Sequence, residues 1–177
     1  MKADMMKKIT LTLMLLVLTV MSYAQTATQL LDRSAATLRA AGNVKIGFTM
    51  EVEGGSSTGY IKLQRQKFVI NMGGSITWFD GKTMWTYVQA NDEVNVTTPS
   101  ADAVAKMNPY AFLSFYKKVV VRINKSTRYP SVITMTSSKD AVTTIRCNSF
   151  LKNQKYKDST FQFNKKNYPN AEIVDLR

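Results

Sequence analysis

From residue 44 onwards, apolar and polar residues alternate with a period of two. Val44, Ile46, Phe48, Met50 and Val52 fall on one side, and Lys45, Gly47, Thr49 and Glu51 on the other. That is the pattern of a strand buried on one face. The same alternation, punctuated by turn residues, predicts further strands over 59–65, 67–72, 75–79, 84–88 and 93–97. Asp80-Gly81 is expected to form a two-residue hairpin turn, because both of its central positions need φ > 0. After a break at 100–118 the pattern returns over 119–124, 132–136, 142–150, 160–163 and 173–176. Two stretches carry the helical period instead. Over 26–41, Leu31, Ala35 and Leu38 share one face, Thr26 and Gln29 fit a capping box, and Gly42 stands where a helix stops. In the break, Asn108-Pro109 is a helix start, with Lys117-Lys118 at its end. Tyr110, Phe112, Leu113, Phe115 and Tyr116 make this second helix strongly aromatic. The order is helix, six strands, helix, five strands. A meander of about eleven strands must curl to bury its apolar face. The pattern therefore predicts a mainly β (α+β) fold: an incomplete antiparallel β-barrel with helices in its mouth.

The N-terminus changes the picture. Lys7 and Lys8 precede an apolar run over 9–21, and Ser22-Tyr23-Ala24 is a small-x-small cleavage site. Residues 1–24 are expected to be a secretory signal peptide removed after Ala24. The run is short for a membrane span, and no cysteine follows the cleavage site to accept lipid. Residues 25–177 then form one domain with one core, located in the periplasm. Losing Lys2, Lys7, Lys8 and Asp4 lowers the formal charge of +12 to +10. Such a balance favours anionic membrane surfaces or acidic partners, and export argues against nucleic acid.

The chain contains no histidine and one cysteine, Cys147. Ser-His-Asp and Cys-His nucleophilic sites, histidine-bound metals and an internal disulfide are excluded. Cys147 lies in an alternating run and is expected to be a buried strand residue. The carboxylates Asp80, Asp92, Glu93, Asp140 and Asp158 stand singly, with no pair placed for acid–base work. Carboxylate-only catalysis is the one enzymatic class these residues leave open, and no enzyme is expected.

Several blocks resemble the LolA family of periplasmic lipoprotein carriers. Asp80-Gly81-Lys82-Thr83-Met84-Trp85 is similar to that family's hairpin, continuing to 93–97. The strand from Gly59 through Arg65 to Phe68 is similar to its strand with a basic residue shortly before an aromatic one. The end of the chain, from Tyr168-Pro169 to Asp175-Leu176-Arg177, looks like the endings of a LolA-like branch. The resemblance implies a half-barrel with helices forming a lid over a concave apolar face. The lid would be 26–41 together with 109–118, and Arg65 would hold it closed. Acyl chains would lie against Leu31, Leu38, Phe48, Met50, Leu63, Phe68, Ile70, Trp85, Phe112 and Phe115. Met50, Met72, Trp78, Met84 and Trp85 are all expected on inner faces, where adaptable methionine suits loosely defined lipid.

The implied function is that of a monomeric periplasmic chaperone, with no cofactor or metal. It would take acylated lipoproteins from an inner-membrane ABC-type releasing complex to an outer-membrane acceptor, and bind no nucleic acid. The alternative is a module on the same fold that senses lipid or lipoprotein without transferring it.

Overall fold

The computed structural model describes residues 27–106 and 117–177. The proposed signal peptide, Asn108-Pro109, Phe112 and Phe115 lie outside them. The chain divides into two compact units, Met1–Ala36 and Thr37–Arg177. Helix α1 (Ala27–Ala40) begins in the first and ends in the second. It stops where expected: the Ala41 amide donates to Thr37 O at 3.0 Å, and Gly42 takes φ 65, a conformation glycine adopts without a Cβ penalty.

The second unit is built on one open ten-stranded sheet. Its strands are β1 (Val44–Val52), β2 (Gly55–Gln64), β3 (Lys67–Met72), β4 (Ser75–Phe79), β5 (Met84–Val88), β6 (Glu93–Thr97), β7 (Lys118–Ile123), β8 (Pro130–Thr136), β9 (Val142–Leu151) and β10 (Glu172–Asp175). A short helix, α2 (Ala101–Lys106), follows β6. Ser100 caps it, its Oγ accepting from the Ala103 amide at 3.2 Å. The spatial order is β10-β6-β5-β4-β3-β2-β1-β9-β8-β7. Two meanders, β1–β6 and β7–β9, thus join where β9 pairs with β1.

Tight turns explain the first meander. Gly73-Gly74, with φ 58 and 79, and Arg65-Gln66, with Arg65 at φ 54, are two-residue loops. Positive φ at such positions matches the twist of the flanking strands. The β4–β5 loop departs from expectation. Phe79 pairs with Met84, so four residues intervene, and the central pair is Gly81-Lys82 rather than Asp80-Gly81. Asp80 sits before the bend, where its carboxylate accepts from the amides of Lys82 at 2.9 Å and Thr83 at 2.8 Å. An Asx side chain bonding backbone two residues ahead moves the turn by one position.

The end of the chain departs further. The strand expected over 160–163 is replaced by a 3₁₀ turn, Asp158–Phe161, closed by local bonds such as Thr160 N to Lys157 O at 2.9 Å. This segment crosses the face of the sheet, not its edge, so no ladder partner is available. A second 3₁₀ turn, Lys165–Asn167, follows. The chain then forms β10, which pairs with β6 in parallel. The sheet is therefore not a pure antiparallel meander, and it has ten strands rather than eleven.

Candidate functional site

The register sorts every strand residue onto one of two faces. Across β1, β2, β3, β4 and β5, one continuous row holds Val44, Leu63, Phe68, Phe79 and Met84, and the next holds Ile46, Ile61, Ile70, Thr77 and Thr86. Phe48 stands opposite Gly59 on one side and Cys147 on the other, and Met50 opposite Ile145. Ile133, Met135, Val119 and Val121 extend the same face to the β7 edge. From β7 to β5 it carries no charged side chain. All four methionines among the described residues, Met50, Met72, Met84 and Met135, lie on it, together with Phe48, Phe68, Phe79 and Phe150. The Phe68 and Phe79 rings lie 5.2 Å apart.

Glycine makes room at its centre. A Cβ on Gly59 would stand 2.4 Å from Asn71 O and 3.1 Å from Phe48 Cζ. The Phe48 ring therefore lies across β2 where a side chain would otherwise stand. Cys147 is half-buried here, and burial pushes its thiol pKa up, which disfavours the reactive thiolate. At the Phe79 end a cavity of about 510 Å³ opens between the β4–β5 loop and α2, lined by Gln66, Phe79, Lys82, Pro99, Ala101 and Val104 among others. It is a hollow open to solvent rather than an enclosed chamber.

The opposite face has a different chemistry. Trp78 pairs with Trp85 and Val69, and Tyr87 with Val94 and Ile76. The C-terminal segment packs against these residues. Phe161, fully buried, joins Val69 and Trp78 in one cluster, and Ala171 joins Val94 and Val96 in another. Phe163 and Tyr168 meet Trp78 edge-on at 5.8 and 5.7 Å. The Tyr156 hydroxyl donates to Val44 O at 3.2 Å, and Lys67 pairs with Asp158 at 2.7 Å. The Lys165 ammonium donates to the Ala171 carbonyl.

Of the residues expected to line a site, the structure brings Phe48, Met50, Leu63, Phe68 and Ile70 onto one face, and adds Phe79, Met84 and Met135. It places Trp85 and Trp78 on the other face, inside the core beneath the tail. Leu31 and Leu38 belong to α1. Arg65 is not on a strand; it is exposed in the β2–β3 turn, next to the cavity residue Gln66. Among the described residues there is no cluster of three potential metal ligands, and no helix is long and apolar enough to cross a membrane.

The family described as outer membrane lipoprotein carrier protein LolA matches residues 17–167. No curated protein matches the chain. An uncharacterized conserved protein from Thermus thermophilus superposes with a TM-score of 0.56 at 13% identity, over 85% of this chain and 99% of that one. At that identity the likeness shows the fold alone. A putative outer membrane lipoprotein-sorting protein domain from Vibrio parahaemolyticus gives 0.43 at 12% identity, over 76% and 95% of the two chains. A LolA superfamily protein from Nitrosomonas europaea gives 0.40 at 9%, over 79% and 99%.

Proposed function

The chain belongs to the LolA family of outer membrane lipoprotein carrier proteins, and on that premise we propose that its Phe48 face holds the acyl chains of lipoproteins during transfer between membranes. One observation carries the reading: a face of phenylalanine, methionine and aliphatic residues, uncharged from β7 to β5. An acyl chain costs about 0.8 kcal/mol per methylene exposed to water, so a chain of roughly sixteen carbons needs a cover worth on the order of 12 kcal/mol. Such a ligand asks for apolar area and adaptable side chains rather than hydrogen bonds, and the half-buried Met50, Met72 and Met84 supply them.

In this reading residues 25–177 are the exported carrier domain, freed of its signal peptide after Ala24 and working in the periplasm. Phe48, Met50, Leu63, Phe68 and Ile70 contact the acyl chains, with Phe79 leading into the cavity beside α2. Arg65, at the cavity's rim, holds the cover in place. Cargo arrives from an inner-membrane releasing complex and leaves to an outer-membrane acceptor, which supply the direction of transfer.

Phe68→Glu is the test. It puts a carboxylate into the middle of the apolar row. Loss of contact with two or three methylenes corresponds to a hold weaker by about 15- to 60-fold. Native mass spectrometry of the protein purified with a co-expressed acylated lipoprotein reads the bound fraction. Undiminished lipoprotein on a folded Phe68→Glu variant refutes the assignment.

A further inference from the structure

The C-terminal segment covers the Tyr60 face of the sheet over β3–β6, and its edge reaches Tyr60 on β2 and the Val44 end of β1. From that edge, where Lys45 and Lys62 are half-buried, across β9 and β8 to β7 the face is basic. The register puts Lys45, Lys62, Lys118, Arg122 and Arg146 on this basic half, with Glu51 as its one carboxylate among the described strand residues. Arg146 binds that carboxylate at 2.8 Å. Lys118 and Arg122 are exposed.

Lys45 and Lys62 stand directly opposite each other on β1 and β2. Like charges in that relation destabilise a sheet. Both ammonium groups lean over one ring, Tyr60, at 4.8 and 5.4 Å from its centroid. The π face offsets part of the repulsion, and an anion lying between them would remove the rest. Interleaved with the cations are exposed aliphatic side chains on the same face: Leu151 opposite Lys45, Val142 at the Lys118 end, and Val120 between Lys118 and Arg122, each 43–49% exposed.

We propose that this basic half is a docking surface for anionic phospholipid headgroups, with the Lys45–Tyr60–Lys62 group as its main phosphate contact. The cations are spread over four of these five strands, and the one aromatic side chain of these strands on this face, Tyr60, is half-buried beneath two of them rather than protruding. Protein hot spots are instead compact and built on buried aromatic or arginine anchors. Laterally mobile headgroups can match a dispersed pattern, and short aliphatic side chains between cations suit the headgroup boundary. The acyl-binding face is the opposite one, so a docked carrier keeps its cargo face clear of this contact.

The test is co-sedimentation of the exported protein with vesicles of phosphatidylcholine alone and of equal parts phosphatidylcholine and phosphatidylglycerol. The protein is expected to bind only the second, and less as salt rises. Each surface cation contributes a factor of about five, so Lys45→Gln with Lys62→Gln should weaken binding about 30-fold. Lys118→Gln with Arg122→Gln should act similarly. Lys157→Gln with Lys166→Gln removes equal charge from exposed positions of the C-terminal segment and should change little. Native fluorescence of the buried Trp78 verifies that each variant is folded. An equal loss in the Lys157/Lys166 variant overturns the proposal in favour of overall charge. Failure of the parent protein to bind the anionic vesicles also overturns it, and binding of a polyglutamate peptide in that case identifies an acidic protein partner instead. Phe68→Glu should leave vesicle binding intact, so failure here and failure of the acyl-binding assignment are read separately.

Discussion

Phe161→Ala should unlatch the C-terminal segment from the sheet. Phe161 is fully buried against Val69 and Trp78, with the Tyr156 ring edge-on at 5.5 Å. Truncation to alanine loses a transfer term of about 1.5–3 kcal/mol. The space left by a phenyl ring, roughly 100 Å³, adds about 2 kcal/mol if the surroundings do not collapse. The edge-on aromatic contact adds about 0.5–1.5 kcal/mol. Partial relaxation reduces the sum, so about 4 kcal/mol is expected, a large share of the 5–15 kcal/mol that holds a typical domain together. Urea unfolding followed by tryptophan fluorescence is the assay, because Trp78 sits in the same cluster at 8% exposure. With a slope of about 2 kcal/mol per molar, the midpoint should fall by about 2 M. Ile173→Ala, at a side chain 46% exposed on β10, should shift it by a few tenths at most. A shift for Phe161→Ala below about 0.5 M would show that the segment rests on the sheet without sharing its core.

Gly59→Ala should destabilise the second unit by about 1–3 kcal/mol in the same assay, since the new methyl meets the Asn71 carbonyl and the Phe48 ring at once; an unchanged midpoint would mean that the Phe48 ring is not held over β2. The Lys67 ammonium donates to Asp158 and holds its carboxyl below the ordinary aspartate value. A depressed carboxylate stabilises above its unfolded pKa, about 3.9, and loses that contribution as pH falls through the folded value. Asp158→Asn should therefore be less stable than the parent at neutral pH and converge with it in strong acid; parallel curves down to that range would rule the pair out as a contributor. Cys147, with its pKa raised by burial opposite Phe48, should react with a maleimide at neutral pH at least about tenfold more slowly in the native protein than in urea. Equal rates would remove it from the apolar face.

Much of this arrangement was legible in the chain. The strands at 67–72, 75–79, 84–88 and 93–97 coincide with the observed ones because each is bounded by residues with a clear turn preference. The position of Trp85 was legible too, through parity. The connections from β1 to β5 hold two, two, two and four residues. An even-length connection places even-numbered residues of one strand with odd-numbered residues of the next. Phe48 therefore shares a face with Phe68 and Met84, and Trp85 must lie on the other, with Trp78. The end of the chain was harder to read. Phe161 and Phe163 alternate with polar residues as strand residues do, yet the segment crosses a face already formed by distant strands, so its conformation depends on tertiary context. The parallel pairing of β10 likewise has no local signal. The basic half of the Tyr60 face became visible only once the register put Lys45 beside Lys62.

The order of pairing has a consequence in time. β1, first of the strands to be made, lies in the middle of the sheet, and its second neighbour β9 follows about a hundred residues later, with Lys45 opposite Leu151. The outer edge of β6 waits for Glu172–Asp175 near the end of the chain. When the chain is delivered N-terminus first, the β1–β6 hairpins form early, because their contacts are local. They then carry two unpaired edges, that of β1 until β9 emerges and that of β6 until Glu172–Asp175 do. Distant pairings close slowly, and open strand edges recruit other chains. The protein thus passes through an interval with an open strand edge, and it completes its sheet only when its C-terminal residues arrive.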